Sequence, residues 1–151
     1  MYYLSAVIGQ ANAINEIETM LLFSQKHVNL MDDILMIPLT NELYSFIISK
    51  YEQKFNVVWF DYLNLSLYDI IKESSKLGKI CYVEAEYFGG KGSHSSIAFK
   101  DNCEVFREIE IVGSIDKALK HIGVLTINDK DEFDSIGLGK YRDTESWIEH
   151  R

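Results

Sequence analysis

The stretch Lys79–Lys100, KICYVEAEYFGGKGSHSSIAFK, constrains the fold more than any other part of the chain. Two runs rich in β-branched and aromatic residues flank a glycine-rich centre, which is the pattern of a β-hairpin. Successive side chains on a strand point to opposite faces. Cys81, Val83, Ala85 and Tyr87 therefore share one face, and Ile80, Tyr82, Glu84, Glu86 and Phe88 the other. Taking Gly89–Gly92 as a four-residue loop sets Glu84 opposite Ile97, Glu86 opposite Ser95, Ala85 opposite Ser96 and Val83 opposite Ala98. The face carrying Cys81, Val83 and Ala85 is lined by small residues, which admits a closely packed helix.

An isolated hairpin is marginal in water and needs more strands or a helix to cover it. The rest of the chain supplies both. Tyr2–Gly9 reads as a strand, as does Asp33–Leu39, whose Pro38 puts its missing N–H near the strand end. Apolar residues spaced three and four apart predict a helix over Asn12–Gln25, with Ile14, Ile17, Leu21 and Leu22 on one face. A second helix, Asn41–Lys50, is capped by Thr40 and turns Leu43, Phe46 and Ile47 inward. A third, Ser66–Leu77, has Ser66 at its N-cap, Asp69 three residues on, and a stripe of Leu67, Ile70, Ile71 and Leu77. Gly78 suits the left-handed position after its end. Asn56–Tyr62 is a short apolar run that reads as strand-like. Glu104–Val112 alternates as a third consecutive strand of a meander. Ser114 then caps a short helix with Ile115, Ala118, Leu119 and Ile122 inward. The polar tail 129–151 packs on the domain through Phe133, Ile136, Leu138, Tyr141 and Trp147. The expected fold is α+β: one domain over 1–151, with a mixed or antiparallel sheet around the hairpin and three to four helices.

Charge narrows the function classes. The net charge is −8, with twelve acidic against seven basic residues after position 100. A nucleic-acid binder needs a basic footprint, and an anionic membrane repels such a surface. No apolar run approaches the roughly 20 residues of a membrane span. Ala11-Asn12-Ala13 has the look of a signal-peptidase site, but the first basic residue is Lys26, so a cytoplasmic protein is expected. Cys81 and Cys103 fall in expected strands as buried free thiols.

Several residues carry chemistry, and each is weighed against an ordinary structural use. Glu84 and Glu86 sit about 7 Å apart on one strand face, a setting that raises carboxylate pKa values and suits acid–base work. The ordinary alternative for Glu84 is pairing with a lysine or accepting backbone hydrogen bonds. Gly89-Gly90-Lys91-Gly92-Ser93 departs from both the P-loop and the dinucleotide fingerprint, and it leads into a strand rather than a helix. Positive φ in a turn accounts for its glycines. His94 stands among Ser93, Ser95 and Ser96, yet neighbours on a strand point apart and make no nucleophilic dyad. Asp129, Asp131, Glu132 and Asp134 fail the calcium-loop pattern at Phe133, Asp134 and Lys140. No zinc spacing of His and Cys occurs, and no cofactor or metal is expected. Tyr51, Trp59, Phe60 and Tyr62 form an aromatic group whose usual role is core packing and whose sharper role is a binding hot spot.

The runs Tyr82–Gly92 and Asp131–Arg142 resemble a family of small bacterial proteins. Its members carry a Y-x-E-x-E-Y-F-G-G-x-G block and end with D-E-F-D-x-x-G-L-G-x-x-R. The resemblance covers the last half of the chain and brings no activity with it. In size and charge the chain is also similar to the small acidic immunity proteins that neutralise bacterial toxins.

The resulting expectation is a non-catalytic binding protein that meets a basic protein partner, such as a toxin domain whose active site it covers. Its contact surface comprises Glu84, Glu86, Tyr87, Phe88, Gly90, Lys91, His94, Asp131 and Asp134. The alternatives are a small enzyme using Glu84 or Glu86 beside the glycine loop, and a homo-oligomer formed through aromatics or a sheet edge.

Overall fold

The computed structural model describes residues 1–150. Its centre is a six-stranded sheet in which every pairing is antiparallel. The strands are β1 (Tyr2–Gln10), β2 (Val28–Met31), β3 (Ile34–Pro38), β4 (Ile80–Phe88), β5 (Lys91–Lys100) and β6 (Cys103–Glu108), in the order β2-β3-β1-β4-β5-β6. Four helices of at least two turns accompany them: α1 (Ala11–Leu21), α2 (Asn41–Tyr51), α3 (Leu65–Ser74) and α4 (Ser114–His121). Two single-turn helices, α5 (Glu132–Ser135) and α6 (Ser146–Glu149), lie in the tail. The α+β fold expected from the sequence is the observed one.

The alternation of β1 and β4 builds a core on each face of the sheet. Val7, Ile80, Tyr82, Ile97 and Phe99 meet α1, α2 and α3 through Ile14, Ile17, Leu43, Ile47, Leu67 and Ile71. On the other face, Leu4, Ala6, Ile8, Cys81, Val83 and Ala98 meet Ile115, Ala118, Leu119 and Ile122, with Ile136, Leu138 and Trp147 from the tail. The helix stripes read from the sequence are thus the buried ones, apart from Phe46, which is half-buried, and Leu22 and Leu77, which are exposed. Small residues let α4 approach closely, as the face parity implies: the Ser96 and Ser114 hydroxyls meet at 3.1 Å. The tail is also fixed to β1 by hydrogen bonds. Tyr3 N–H donates to the Arg142 carbonyl at 3.0 Å, Ser5 N–H to Thr144 Oγ1 at 3.0 Å, and the Tyr2 hydroxyl to the Leu138 carbonyl at 2.8 Å.

The hairpin loop is shorter than expected. Phe88 pairs with Lys91, so the loop is Gly89-Gly90 alone, with φ of 58° and 80°. Two consecutive residues at positive φ make the turn whose twist matches the strands, and glycine takes that conformation without steric penalty. Glu84 therefore faces Ser95, and Glu86 faces Ser93, a shift of two that preserves the faces.

Other boundaries move for local reasons. The first helix stops at Leu21 because Leu22 adopts a left-handed cap. Asn64, not Ser66, caps α3, its side chain accepting from Ser66 N–H at 2.8 Å. Ser114 is buried against Ser96, and Gly113 takes the cap position of α4. Gly78 does not use positive φ. A Cβ there would lie 3.1 Å from Gln10 Cβ. The third meander strand ends at Glu108, and Cys103 is exposed at its start. Burial pushes the Cys81 thiol pKa well up. Asn56–Tyr62 is a loop, not a strand.

Candidate functional site

The two faces of the β4–β5 hairpin carry two different cavities. The first lies on the Glu84 face and is organised by the loop from Gln53 to Asn64. Side-chain amides lace that loop: Asn64 Nδ2 donates to the Gln53 carbonyl and Asn56 Nδ2 to the Asp61 carbonyl, both at 2.7 Å. Val57 N–H donates to the Leu63 carbonyl at 2.8 Å. Val57, Phe60 and Leu63 point into the core, with the Phe60 ring edge-on to Tyr82 at 5.7 Å. The inward turn of those three leaves their sequence neighbours outside. Phe55 is 72% exposed, Val58 69% and Trp59 71%.

Glu84 holds this loop to the sheet. Its Oε1 accepts from Asp61 N–H at 2.9 Å. Its Oε2 accepts from Tyr62 N–H at 2.9 Å and from the buried Tyr82 hydroxyl at 2.7 Å. Burial raises the pKa of Glu84, and those three donors oppose the rise. Three donors on one carboxylate leave it a brace rather than a base poised for substrate. Trp59, two residues before the braced Asp61, sits at φ 75°. A bulky residue at positive φ is strained, and such strain persists only where surrounding structure enforces it. Tyr62 is steadied edge-on by Tyr44 at 5.4 Å. The adjoining cleft, about 470 Å³, is bordered by Tyr3, Trp59 and Tyr62 and by the carboxylates of Asp61, Glu86 and Glu110.

The second cavity, about 320 Å³, lies on the Tyr87 face. There Tyr87, from the Tyr82–Gly92 run, and His94, two residues beyond that run, meet Asp131, Phe133 and Gly139 from the Asp131–Arg142 run. Tyr2 and Asp116 complete the walls. His94 is only 5% exposed and has a partner on each ring nitrogen. Gly113 N–H donates to Nδ1 at 3.2 Å, and Nε2 lies 2.5 Å from the Tyr87 hydroxyl. A backbone N–H can only donate, so Nδ1 carries the lone pair and Nε2 the hydrogen. His94 is therefore neutral, in keeping with burial, which lowers its pKa. Tyr87 accepts from it and keeps its own hydroxyl hydrogen for another acceptor.

The expected contact residues thus divide into separate places. Glu84 and Glu86 border the first cavity, and Tyr87, His94 and Asp131 the second. Phe88, Gly90 and Lys91 are exposed at the hairpin tip. Asp134 borders a third hollow, about 400 Å³, with Val28, Lys140 and Trp147. Asp131 caps α5, accepting from Asp134 N–H at 2.8 Å, which gives the acidic run a structural use. Among the described residues no three His, Cys, Asp or Glu side chains are grouped to hold a metal ion. No helix among them is long and apolar enough to cross a membrane. Tyr2 and Asp116 escaped sequence reading; the signal for Tyr2 was its register, directly across from Tyr87.

No protein-family model matches the chain, and neither a curated protein nor a solved structure is found to match it.

Proposed function

We propose that the protein is a binding module whose Trp59 face engages a basic protein surface. The observation that carries this reading is the Glu84 brace. It holds an exposed tryptophan in a strained backbone conformation, beside Tyr3 and Tyr62 and among Asp61, Glu86 and Glu110. Tryptophan and tyrosine dominate binding hot spots because they bury large area with little loss of conformational freedom. Carboxylates around them steer a basic partner and set its orientation. The overall charge of −8 acts in the same sense at longer range. The basic active-site face of a bacterial toxin is a partner of this kind, and covering it would make the protein an immunity factor. The engagement of Glu84 by three donors weighs against the alternative of a small enzyme using that carboxylate as its base.

The test is affinity capture from the native host with the wild-type chain and with a Trp59→Ser/Glu86→Lys variant, compared at two salt concentrations. A stoichiometric basic protein held by the wild type, released by salt and lost by the variant supports the reading. The same proteins held equally by both would overturn it.

A further inference from the structure

The second cavity is independent of the Trp59 face, lying on the other side of the sheet. Three aromatic rings and an imidazole form its walls. Tyr2 stands edge-on to Tyr87 at 6.2 Å and to Phe133 at 5.8 Å, and Tyr87 edge-on to His94 at 5.2 Å. Two carboxylates, Asp116 and Asp131, share the rim. Each uses Oδ1 to accept a backbone N–H, from Phe133 and Asp134 respectively, both at 2.8 Å. Neither Oδ2 is engaged among the described residues, and no Lys or Arg lines the cavity. The imidazole brings no positive charge either, since Gly113 N–H keeps it neutral. Two carboxylates and several π faces are thus gathered around one hollow with no compensating cation among the described residues. Burial raises the pKa of Asp116, and repulsion from the Asp131 carboxylate adds to the rise.

We propose that this cavity is a binding site for an alkylammonium cation. The ring faces attract the positive group through their quadrupoles, and the two carboxylates supply its counter-charge. The spare hydroxyl hydrogen of Tyr87 would meet an acceptor carried next to the cation. A free small molecule and a lysine side chain of a partner protein present the same chemistry.

The experiment is an NMR titration of the isotope-labelled full chain with three probes. These are choline, Nα-acetyl-lysine amide, and the neutral analogue of choline in which carbon replaces the ammonium nitrogen. Amide resonances of Gly113, Phe133 and Gly139 and the imidazole resonances of His94 report on the site. One or both cations should shift them with a Kd of order 1 mM or tighter, and the neutral analogue should bind about tenfold more weakly. Stronger binding of choline identifies a small-molecule site, and stronger binding of the lysine derivative a partner's side chain; either supports the proposal. Asp131→Asn keeps the α5 cap, because asparagine caps as well as aspartate. It should nonetheless weaken the cation by about threefold to tenfold. Absence of shifts at about 50 mM of both cations, equal binding of the neutral analogue, or undiminished affinity in Asp131→Asn would each overturn the proposal.

Discussion

Replacing Glu84 by glutamine tests the brace directly, because the geometry leaves the amide no satisfactory orientation. In the wild type, Oε1 receives Asp61 N–H, and Oε2 receives Tyr62 N–H and the Tyr82 hydroxyl. A glutamine has one carbonyl oxygen and one NH2 group. Whichever way it turns, one backbone N–H faces the NH2. The Tyr82 hydroxyl can rotate to accept from it, but a peptide N–H cannot. An unmatched buried donor costs about 1–3 kcal/mol. Water reaches the loop from one side, so about 1–2 kcal/mol is expected, which lowers Tm by roughly 2–8 °C for a chain of this size. Thermal unfolding followed by circular dichroism measures it. The pH dependence sharpens the test. Burial holds the folded pKa of Glu84 above its ordinary value of 4.5, so the native state takes up the proton first. The stability this group contributes is fully present below the unfolded pKa and is lost as pH rises through the folded one. Glutamine does not titrate, so its deficit relative to wild type should be larger near pH 4 than near pH 7. A Tm within about 1 °C of wild type, or a deficit that shrinks on acidification, would refute the reasoning.

Gly92→Ala should disturb the His94 cavity, because a Cβ there would lie 1.9 Å from Tyr87 Cε1 and 2.2 Å from Cδ1. The ring must swing away, at a cost of about 1–3 kcal/mol, and His94 loses its Nε2 partner; unchanged imidazole resonances would contradict this. Trp59→Ser removes no core contact and relieves none of the loop's lacing, so it should change stability by less than about 0.5 kcal/mol while weakening partner binding at least tenfold. Burial lowers the His94 pKa, so the native state resists protonation there. That contribution to stability should fall as pH drops below the ordinary histidine value of about 6.5, and His94→Gln should flatten the pH dependence of denaturant unfolding in that range. Cys103 should react with iodoacetamide in the folded protein and Cys81 only on unfolding, as mass spectrometry of peptides would read; equal labelling would mean that the sheet opens locally.

Legibility in the sequence followed the range of the forces involved. Ile14, Ile17 and Leu21, or Ile115, Ala118 and Leu119, announce a buried stripe because helical period and core direction are local properties. The parity of the hairpin faces was legible for the same reason, and it correctly separated Glu84 from Tyr87. Its register was not, since GGKG accommodates a loop of two or four residues until strand twist selects the shorter. The segment Val28–Met31 escaped notice because three half-buried residues and an exposed Asn29 carry no clear alternation. NVVWFDY misled because an apolar run looks the same in a strand and in a loop that buries alternate parts. What makes it a loop is the lacing by Asn56 and Asn64 and the carboxylate of Glu84, which lies more than twenty positions away. At the sites, Tyr87, His94 and Asp131 were visible as chemistry-bearing residues, and Trp59 as part of an aromatic group. Asp116 was not, because an acid in the first turn of a helix has an ordinary explanation in the helix dipole.

The position of β1 bears on how the molecule is made. Its neighbours on the two sides are β3 and β4, so one edge stays open until Ile80 and the residues after it have been synthesised. The tail then reaches back across 136 and 139 residues to fasten Tyr2 and Ser5. An apolar strand synthesised before these partners must wait for them, and long-range pairing of this kind folds slowly. Nascent chains stalled before β4 should therefore be protease-sensitive and dependent on chaperones, whereas emergence of β4 and of the segment through Thr144 lets the sheet close from its middle outward.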